Sequence, residues 1–278
     1  MPTHARGYYP SSQRPDHLMF YATPALSRLQ YQSAEAASSF TPVLNAGIEY
    51  AHFIHHKFGF SIGAEYNRFA AKYNFDGRRD SLQMFDAWSG YHYQLRQQLH
   101  TTEHQSVSYL SVPFKLHFRQ LITPDISLNM SAGMVLNTYL SEKRSILAGT
   151  INRQAYFSDI HVNVDDFHPL LFGKFDNYIQ PSAMPQFGVS RTYTAQVGLS
   201  FQLNEFWALH TELNYQYGTK NIKQRNINLL VPDEYAGITA TNFIGDIKPQ
   251  SIGLKIGLAY TFDLFNVDCK CQNSWWKL

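Results

Sequence analysis

Eight ionisable side chains stand at positions where a folded chain could bring them together. Three are acids, three are lysine or arginine cations and two are histidines: Glu49, Glu65, Glu212, Lys115, Arg119, Lys255, His117 and His210. Neighbouring carboxylates and imidazoles can act as general acids and bases, and a chain of them can pass protons or ions. Enclosed with little water, opposite charges must pair, because an unpaired buried charge is costly. We interpret the set as a structural ion-pair network, with a gated ion path or a catalytic group as alternatives.

These residues lie in segments whose hydrophobicity alternates with a period of two, as in β-strands with one apolar and one polar face. In residues 109–119, YLSVPFKLHFR, the apolar face is unbroken and Lys115, His117 and Arg119 share the other face. Seven further segments are predicted to be strands: 18–29, 43–52, 60–73, 126–140, 193–203, 207–217 and 252–262. Each is long enough for the roughly 9 to 11 residues of a tilted strand that crosses a bilayer.

The connections between these segments alternate in length. Three are short, near residues 53–59, 121–125 and 204–206, and four are long, roughly 30–41, 74–106, 142–190 and 219–249. In an antiparallel up-and-down sheet, all the short turns then fall at one end. This is the pattern of a transmembrane β-barrel with an even strand number, short periplasmic turns and long external loops. We therefore predict an all-β fold, an eight-stranded antiparallel transmembrane barrel.

A soluble lipocalin-like barrel is the main alternative, because alternation does not say which face lies inside. Charged residues are 16% and aromatic residues 15% of the 278 residues. The small or ionisable residues of the polar face and the rings near strand ends favour the membrane barrel. The net charge of +2 indicates no nucleic-acid partner. No apolar run is long enough for a transmembrane helix.

Residues 109–119, the following turn and ISLNMSAGMVLNTYLSEK resemble the outer-membrane β-barrel domain of Bacteroidetes, the group that includes PorT-like proteins. The final segment GLKIGLAYTF, ending at Phe262, is similar to the closing strand of that family. The resemblance covers about residues 17–262. It implies the barrel architecture. Members of this family include orphan barrels, components of secretion systems and subunits of larger outer-membrane complexes, so the resemblance implies one of these roles.

Catalysis has a weak signature. Some eight-stranded barrels are lipid-modifying enzymes with a histidine at the membrane edge, and the segment 210–212, His-Thr-Glu, invites that comparison. By parity, however, His210 and Glu212 share the inner face, and no GxSxG, HExxH or glycine-rich phosphate loop is present. We expect no enzyme activity and no cofactor.

Metal binding is also weakly indicated. The pair His55 and His56 lies in a short turn with no third ligand close in sequence, so we interpret it as a solvated turn and predict no metal site. Cys269 and Cys271 are too close for an unstrained local disulfide. An intermolecular disulfide or free thiols are the better interpretation, with a redox or metal-binding pair as the alternative.

Partner binding is expected at the external loops and the C-terminal tail. Both carry large apolar side chains that are unfavourable when exposed without cover: Phe167, Leu170, Leu171, Phe172, Phe175, Tyr178, Trp275 and Trp276. We expect an N-terminal extension (1–16), a barrel (17–262) and a periplasmic tail (263–278). The first residues lack the apolar core of a secretory signal, which we take to have been removed.

The sequence thus predicts a non-catalytic outer-membrane barrel that serves as an accessory or structural subunit of a complex for secretion, barrel assembly or nutrient uptake. Its expected partners are outer-membrane lipid and lipopolysaccharide, and other outer-membrane or periplasmic proteins. A lipid-modifying enzyme and a small channel or ligand transporter are the alternative functions.

Overall fold

The computed structural model describes residues 16–31, 37–87, 89–166, 172–176, 187–224 and 245–262. These ranges contain ten β-strands: β1 (Asp16–Tyr31), β2 (Ala37–Phe53), β3 (Phe58–Phe85), β4 (His92–Thr123), β5 (Ile126–Phe157), β6 (Val162–Val164), β7 (Gly173–Asp176), β8 (Ser190–Gln202), β9 (Trp207–Gly218) and β10 (Ile247–Phe262). No helix in this part of the chain is long and apolar enough to cross a membrane.

Eight of the strands form a closed antiparallel ring. Its order is β4-β3-β2-β1-β10-β9-β8-β5, and the pairing of β4 with β5 completes it. The short strands β6 and β7 pair with β5 outside the ring. The predicted eight-stranded antiparallel barrel is therefore confirmed. Closure leaves no unpaired edge in the wall, as a β-structure surrounded by lipid requires.

Most of the large apolar side chains of the ring point outward. Phe20 is 52% exposed, Leu116 is 72% exposed and Leu213 is 50% exposed, whereas Ser27 and Asn45 on the opposite face are fully buried. The prediction of an apolar exterior around a polar interior is confirmed, and the soluble barrel with an apolar interior is excluded for the described residues.

Aromatic rings surround the end of the barrel that bears the short turns. Tyr260 stacks on Phe206 and Phe262 with ring centroids 6.0 Å and 5.9 Å apart, and contacts Trp207 edge-on at 5.2 Å. Such girdles occur at the interfaces of membrane barrels. Not every ring near the end of a predicted strand belongs to such a girdle, because Tyr73 lies inside the barrel with 1% exposure.

The predicted loops 74–106 and 142–190 are wrong in large part. Strands β3, β4 and β5 continue through much of them and reach 28, 32 and 32 residues. The far end of these extensions is marked by the pairing of Phe85 with His92 and of Tyr93 with Phe157. The sequence pattern missed the extension because apolar alternation ends where lipid ends, while backbone hydrogen bonding between neighbouring strands continues.

The external sheet, formed by the distal parts of β3, β4 and β5 with β6 and β7, has a small core of its own. Phe172 is 5% exposed and packs against Leu95 and Ala155, so its side chain covers the sheet and is not free for a partner. Phe175 lies in β7, opposite Ile151. The other predicted contact residues lie outside the described residues, as do both cysteines: Phe167, Leu170, Leu171, Tyr178, Trp275, Trp276, Cys269 and Cys271.

Candidate functional site

Glu49 is the centre of the polar interior. Its Oε2 atom lies 2.7 Å from Lys115 Nζ and 2.9 Å from Lys255 Nζ, and its Oε1 atom accepts a 2.6 Å hydrogen bond from Ser61 Oγ. Glu49 is on β2, and the lysines come from β4 and β10, each two strands away in the ring. The carboxylate is 1% exposed. Two cations and a hydroxyl compensate its desolvation, which is how a buried charge becomes tolerable.

A second acid extends the network. Glu212 is paired directly with Lys255 across β9 and β10, and its Oε2 atom lies 3.6 Å from Lys255 Nζ. His210 Nδ1 is 3.6 Å from Glu212 Oε1. On the other side, His117 Nε2 lies 2.7 Å from Ser61 Oγ and 3.2 Å from Glu49 Oε1. The interior therefore holds a contiguous chain of alternating acids and bases.

An aromatic ring forms one wall of this network. The Lys255 ammonium lies 4.2 Å from the centre of the Tyr21 ring, a cation–π contact. Tyr21 can lie against the barrel wall because residue 47 is glycine. A Cβ atom at Gly47 would stand 2.7 Å from the Tyr21 hydroxyl and 2.8 Å from the Ala64 carbonyl oxygen.

The structure brings six of the eight predicted residues into this network, namely Glu49, Lys115, His117, His210, Glu212 and Lys255. Glu65 points inward and is 4% exposed, but within the described ranges it forms no ion pair as short as 4 Å. Arg119 is also buried, at 4% exposure, and lies nearer the short turns on the Phe53 ring.

A neutral hydrogen-bonded layer lies next to the ion pairs. Asn67 Nδ2 on β3 donates a 2.7 Å hydrogen bond to Gln216 Oε1 on β9, the strand opposite in the ring. Gln196 on β8 accepts from Lys115 Nζ at 3.2 Å and donates to Asn214 at 3.2 Å. Side chains thus bridge the interior from wall to wall.

The external end of the interior is closed by an apolar cluster that sequence reasoning missed. It contains residues of four strands of the ring and two residues of the connecting segments, all 8% exposed or less: Leu29, Tyr31, Phe69, Ala71, Tyr73, Val107, Tyr109, Phe187, Ile222 and Ile247. The sequence did contain a signal for Phe69. It is four residues after Glu65 in the same strand, so its side chain points to the same face, the interior. Phe187 and Ile222 carried no such signal, because they lie outside the strands.

The other end contains a small cavity of about 40 Å³ at the short turns. Its lining includes the side chains of His17, Phe53, Arg119 and His210, with Asp125 at the mouth. Adjacent to it, the rings of His55 and His56 lie with their centroids 3.8 Å apart and their planes tilted by 45°. Desolvation, followed by the positive charges of His55, Lys57 and Arg119, lowers the pKa of the exposed His56 imidazole. Among the described residues no group of three metal-ligating side chains occurs.

Ser61, His117 and Glu49 are hydrogen-bonded but do not form a nucleophile relay. In a catalytic triad the serine and the acid contact opposite nitrogens of the histidine. Here both Ser61 Oγ and Glu49 Oε1 lie on the Nε2 side of His117, and Ser61 also donates to the carboxylate. The hydrogen bonds and ion pairs instead fix the buried charge of Glu49 inside the closed barrel wall.

Comparisons with known proteins found matches among solved structures alone. No family model matches the chain, and no curated protein matches it. Among solved structures it is similar to the outer membrane protein OprG from Pseudomonas aeruginosa, with 12% identity over 90% of this chain and 97% of that one and a TM-score of 0.43. Neisserial surface protein A has 11% identity over 89% and 97%, with a TM-score of 0.38. The outer membrane protease OmpT from Escherichia coli has 7% identity over 92% and 99%, with a TM-score of 0.34. The description of the barrel rests on its strand pairing and side-chain directions.

Proposed function

We propose that this chain is a non-catalytic barrel of a bacterial outer membrane, with a filled interior, that serves as an accessory or structural subunit of a membrane complex. The observation that carries the proposal is the bridging of the interior at successive levels by Asn67 with Gln216 and by Glu49 with its two lysines. Because side chains fill the interior, we expect this protein to bind its partners through its outer surfaces.

The outward-facing apolar surface of the ring, which we call the apolar belt, supports the membrane location. Leu110, Leu213 and Leu254 are about half exposed on different strands, and water would disfavour such a continuous apolar surface. Closed antiparallel barrels of this kind with short turns at one end are typical of bacterial outer membranes.

The absence of catalysis is supported by accessibility and by geometry. His210, the best catalytic candidate of the sequence, points into the barrel and lies beside Glu212, with its side chain 13% exposed. A lipid-cleaving group would have to reach the bilayer edge. Ser61 is 3% exposed and lacks the relay described above.

A contact surface is available at the tip of the external sheet. Phe85 is 57% exposed, Tyr91 41%, Ile160 47% and Val162 43%. These four residues, the apolar tip, lie on two adjacent turns that β3, β4 and β5 hold far from the apolar belt. Exposed apolar groups on a rigid support are typical of protein interaction sites. The resemblance to PorT-like barrels suggests a complex for secretion, barrel assembly or nutrient uptake.

Conductance in planar bilayers tests the filled interior. The purified full chain is expected to give no steady ion current, and a large steady current would contradict the proposal and favour the channel alternative. A change of lipid A structure in cells that lack the protein, restored by the wild type but not by His210→Ala, would favour the enzyme alternative.

Co-purification in mild detergent tests the subunit role. The wild type is expected to retain a defined outer-membrane partner that a Phe85→Ser/Ile160→Ser variant loses. Ile54→Ser, which removes a 77% exposed side chain at the opposite end, is the matched control and should retain the partner. A protein that runs alone in both forms would contradict the subunit role.

A further inference from the structure

A patch of basic side chains lies on the outer face of the barrel wall, just beyond the external edge of the apolar belt. Four residues of β3, β4 and β5 form this basic patch: Arg68, Lys72, His104 and Lys143. The last large apolar side chains before it are 44% to 50% exposed: Tyr66, Leu110 and Leu140. Arg68 and Lys72 follow Tyr66 by two and six residues in the same strand, so all three point outward.

Strand register brings the patch together around Ser106 of β4. Its partner on β5 is Lys143, and its partner on β3 is Ala70, midway between Arg68 and Lys72. Neighbouring strands are about 4.8 Å apart and rise about 3.4 Å per residue, so the Cα atoms of Arg68 and Lys72 each lie roughly 12 Å from that of Lys143. Three long, flexible side chains can therefore converge on one small group above Ser106.

Arg68 is already oriented towards this centre. Its Nη2 atom donates a 3.0 Å hydrogen bond to Ser106 Oγ, and its backbone N–H donates to Asn45 Oδ1 at 2.9 Å. Its Nε atom is buried, whereas its Nη1 atom is neither buried nor hydrogen-bonded within the described residues. An incoming anion would therefore meet Nη1.

No carboxylate of the described residues neutralises the patch. Arg68, Lys72 and Lys143 take part in none of the ion pairs found there. The acids next to the patch in sequence belong to the inner face. Glu103 is fully buried and accepts a hydrogen bond from Tyr73, and Glu142 is paired with the buried Val107.

The cations of β3 act on a common region. Desolvation, followed by the positive charges of Arg68 and Lys72, lowers the pKa of the His104 imidazole. His104 is paired with Lys72 and stands two residues from Ser106 in β4. The outer face at this level is thus a positively charged surface without a counter-ion among the described side chains.

We infer that the basic patch binds a phosphate group of an anionic lipid headgroup in the outer leaflet, with Arg68, Lys72 and Lys143 as its ligands. This inference rests on the membrane location in the proposed function. Guanidinium and ammonium groups bind phosphate through charge-assisted hydrogen bonds, which are stronger than hydrogen bonds between neutral groups.

The position of the patch favours a lipid over a soluble anion. The acyl chains of a lipid whose phosphate meets the patch would cover the neighbouring apolar side chains of the belt, such as Tyr66 and Leu140, and a free anion would gain no such contact. The stems of Lys72 and Lys143 can lie along the same apolar surface while their charges reach the headgroup layer. Lipid A has this combination of phosphates and acyl chains.

The test measures lipid retention by native mass spectrometry of the full chain released from detergent micelles. The probes are lipid A with both phosphates, lipid A from which the phosphates have been removed, and sodium phosphate. The wild type is expected to retain phosphorylated lipid A in preference to the dephosphorylated lipid. Sodium phosphate at the concentration of the lipid is expected not to displace it.

Variants assign the selectivity to the patch. A basic residue beside an anionic lipid surface contributes about fivefold in affinity, so Lys72→Gln/Lys143→Gln should bind phosphorylated lipid A about 25-fold more weakly. Both side chains are exposed, so the variant should fold as the wild type does. Lys57→Gln/Lys174→Gln removes the same charge from a short turn and from β7. This matched control should bind as the wild type does.

Four results would overturn the inference: equal retention of the two forms of lipid A by the wild type, equal losses in the two double variants, displacement of the lipid by equimolar sodium phosphate, or loss of a protein partner from Lys72→Gln/Lys143→Gln with lipid binding unchanged. A chain that enters lipid vesicles without selecting phosphorylated lipid A would refute the site alone. A chain that does not enter vesicles would contradict the membrane location and the site together.

Discussion

Asn67 and Gln216 lie on opposite walls of the ring, and their side chains meet in a 2.7 Å hydrogen bond. Four places separate β3 from β9 in the circular order of eight strands, in either direction. A hydrogen bond between opposite strands divides the interior at that level. The polar part of the interior is therefore bridged from wall to wall by side chains.

The bond between Asn67 and Gln216 should be measurable as a coupling energy. In a double-mutant cycle with Asn67→Ala and Gln216→Ala, we expect a coupling of about 0.5 to 1.5 kcal/mol in the free energy of unfolding. Urea unfolding in lipid vesicles measures it. Asn67→Ala combined with Thr150→Ala in the external sheet is the control cycle and should be additive. Additivity in the first cycle would refute the bridge.

Removal of the central acid, Glu49, should lower the free energy of unfolding. Glu49→Gln deprives Lys115 and Lys255 of their shared carboxylate, and breaking a buried ion pair from one side costs about 3 to 5 kcal/mol. Unfolding of the variant in lipid vesicles gives the value. Glu205→Gln, in an exposed turn at one end of the barrel, is the control and should change stability by less than about 0.5 kcal/mol. A Glu49→Gln variant as stable as this control would show that the network does not depend on its central charge.

Gly47 should not tolerate a large side chain. A Cβ atom there already meets the Tyr21 hydroxyl and a backbone carbonyl, so Gly47→Leu must displace Tyr21 from Lys255, and overpacking of this kind costs about 1 to 3 kcal/mol. Ala46→Leu places the same side chain on the exposed outer face of the same strand and should be close to neutral. Tyrosine fluorescence and unfolding measured for both variants would test the difference, and equal stabilities would contradict the packing described here.

Substitution by a charged residue should destabilise the protein most at the middle of the apolar belt. Leu213 is 50% exposed at the middle of β9, where it pairs with Leu254. Leu213→Arg should cost about 2 to 4 kcal/mol in lipid, the range for a cation at the bilayer midplane. Leu203→Arg, at a 58% exposed position beside a short turn, should cost about 0 to 1 kcal/mol. Equal costs would mean that the belt is not centred on the bilayer.

The period of two was sufficient to locate the wall of the barrel. Lys115, His117 and Arg119 were assigned to the polar face by parity, and all three point into the ring. The same pattern failed for the external sheet, where both faces of β4 meet water or protein and the sequence no longer alternates. It also missed Phe187 and Ile222, which enter the interior from outside the strands.

Sequence was less informative about which charges meet. Parity places Glu49, Glu65 and Arg119 on one face, but the positions of their side chains along the barrel depend on the stagger between strands. Glu49 is met by Lys115 and by Lys255, which is 206 residues away, whereas Arg119 is carried past the network to the cavity at the short turns.

The sequence by itself determined that apolar and polar side chains alternate, and hence that a closed wall would separate lipid from a polar interior. Only the tertiary structure decided that side chains bridge this interior, that three strands continue far beyond the apolar belt, and that Arg119 is buried away from the Glu49 network. The physical reason is that alternation is a local property of neighbouring residues. Distances across the ring, in contrast, follow from strand register and closure, which no short stretch of sequence contains.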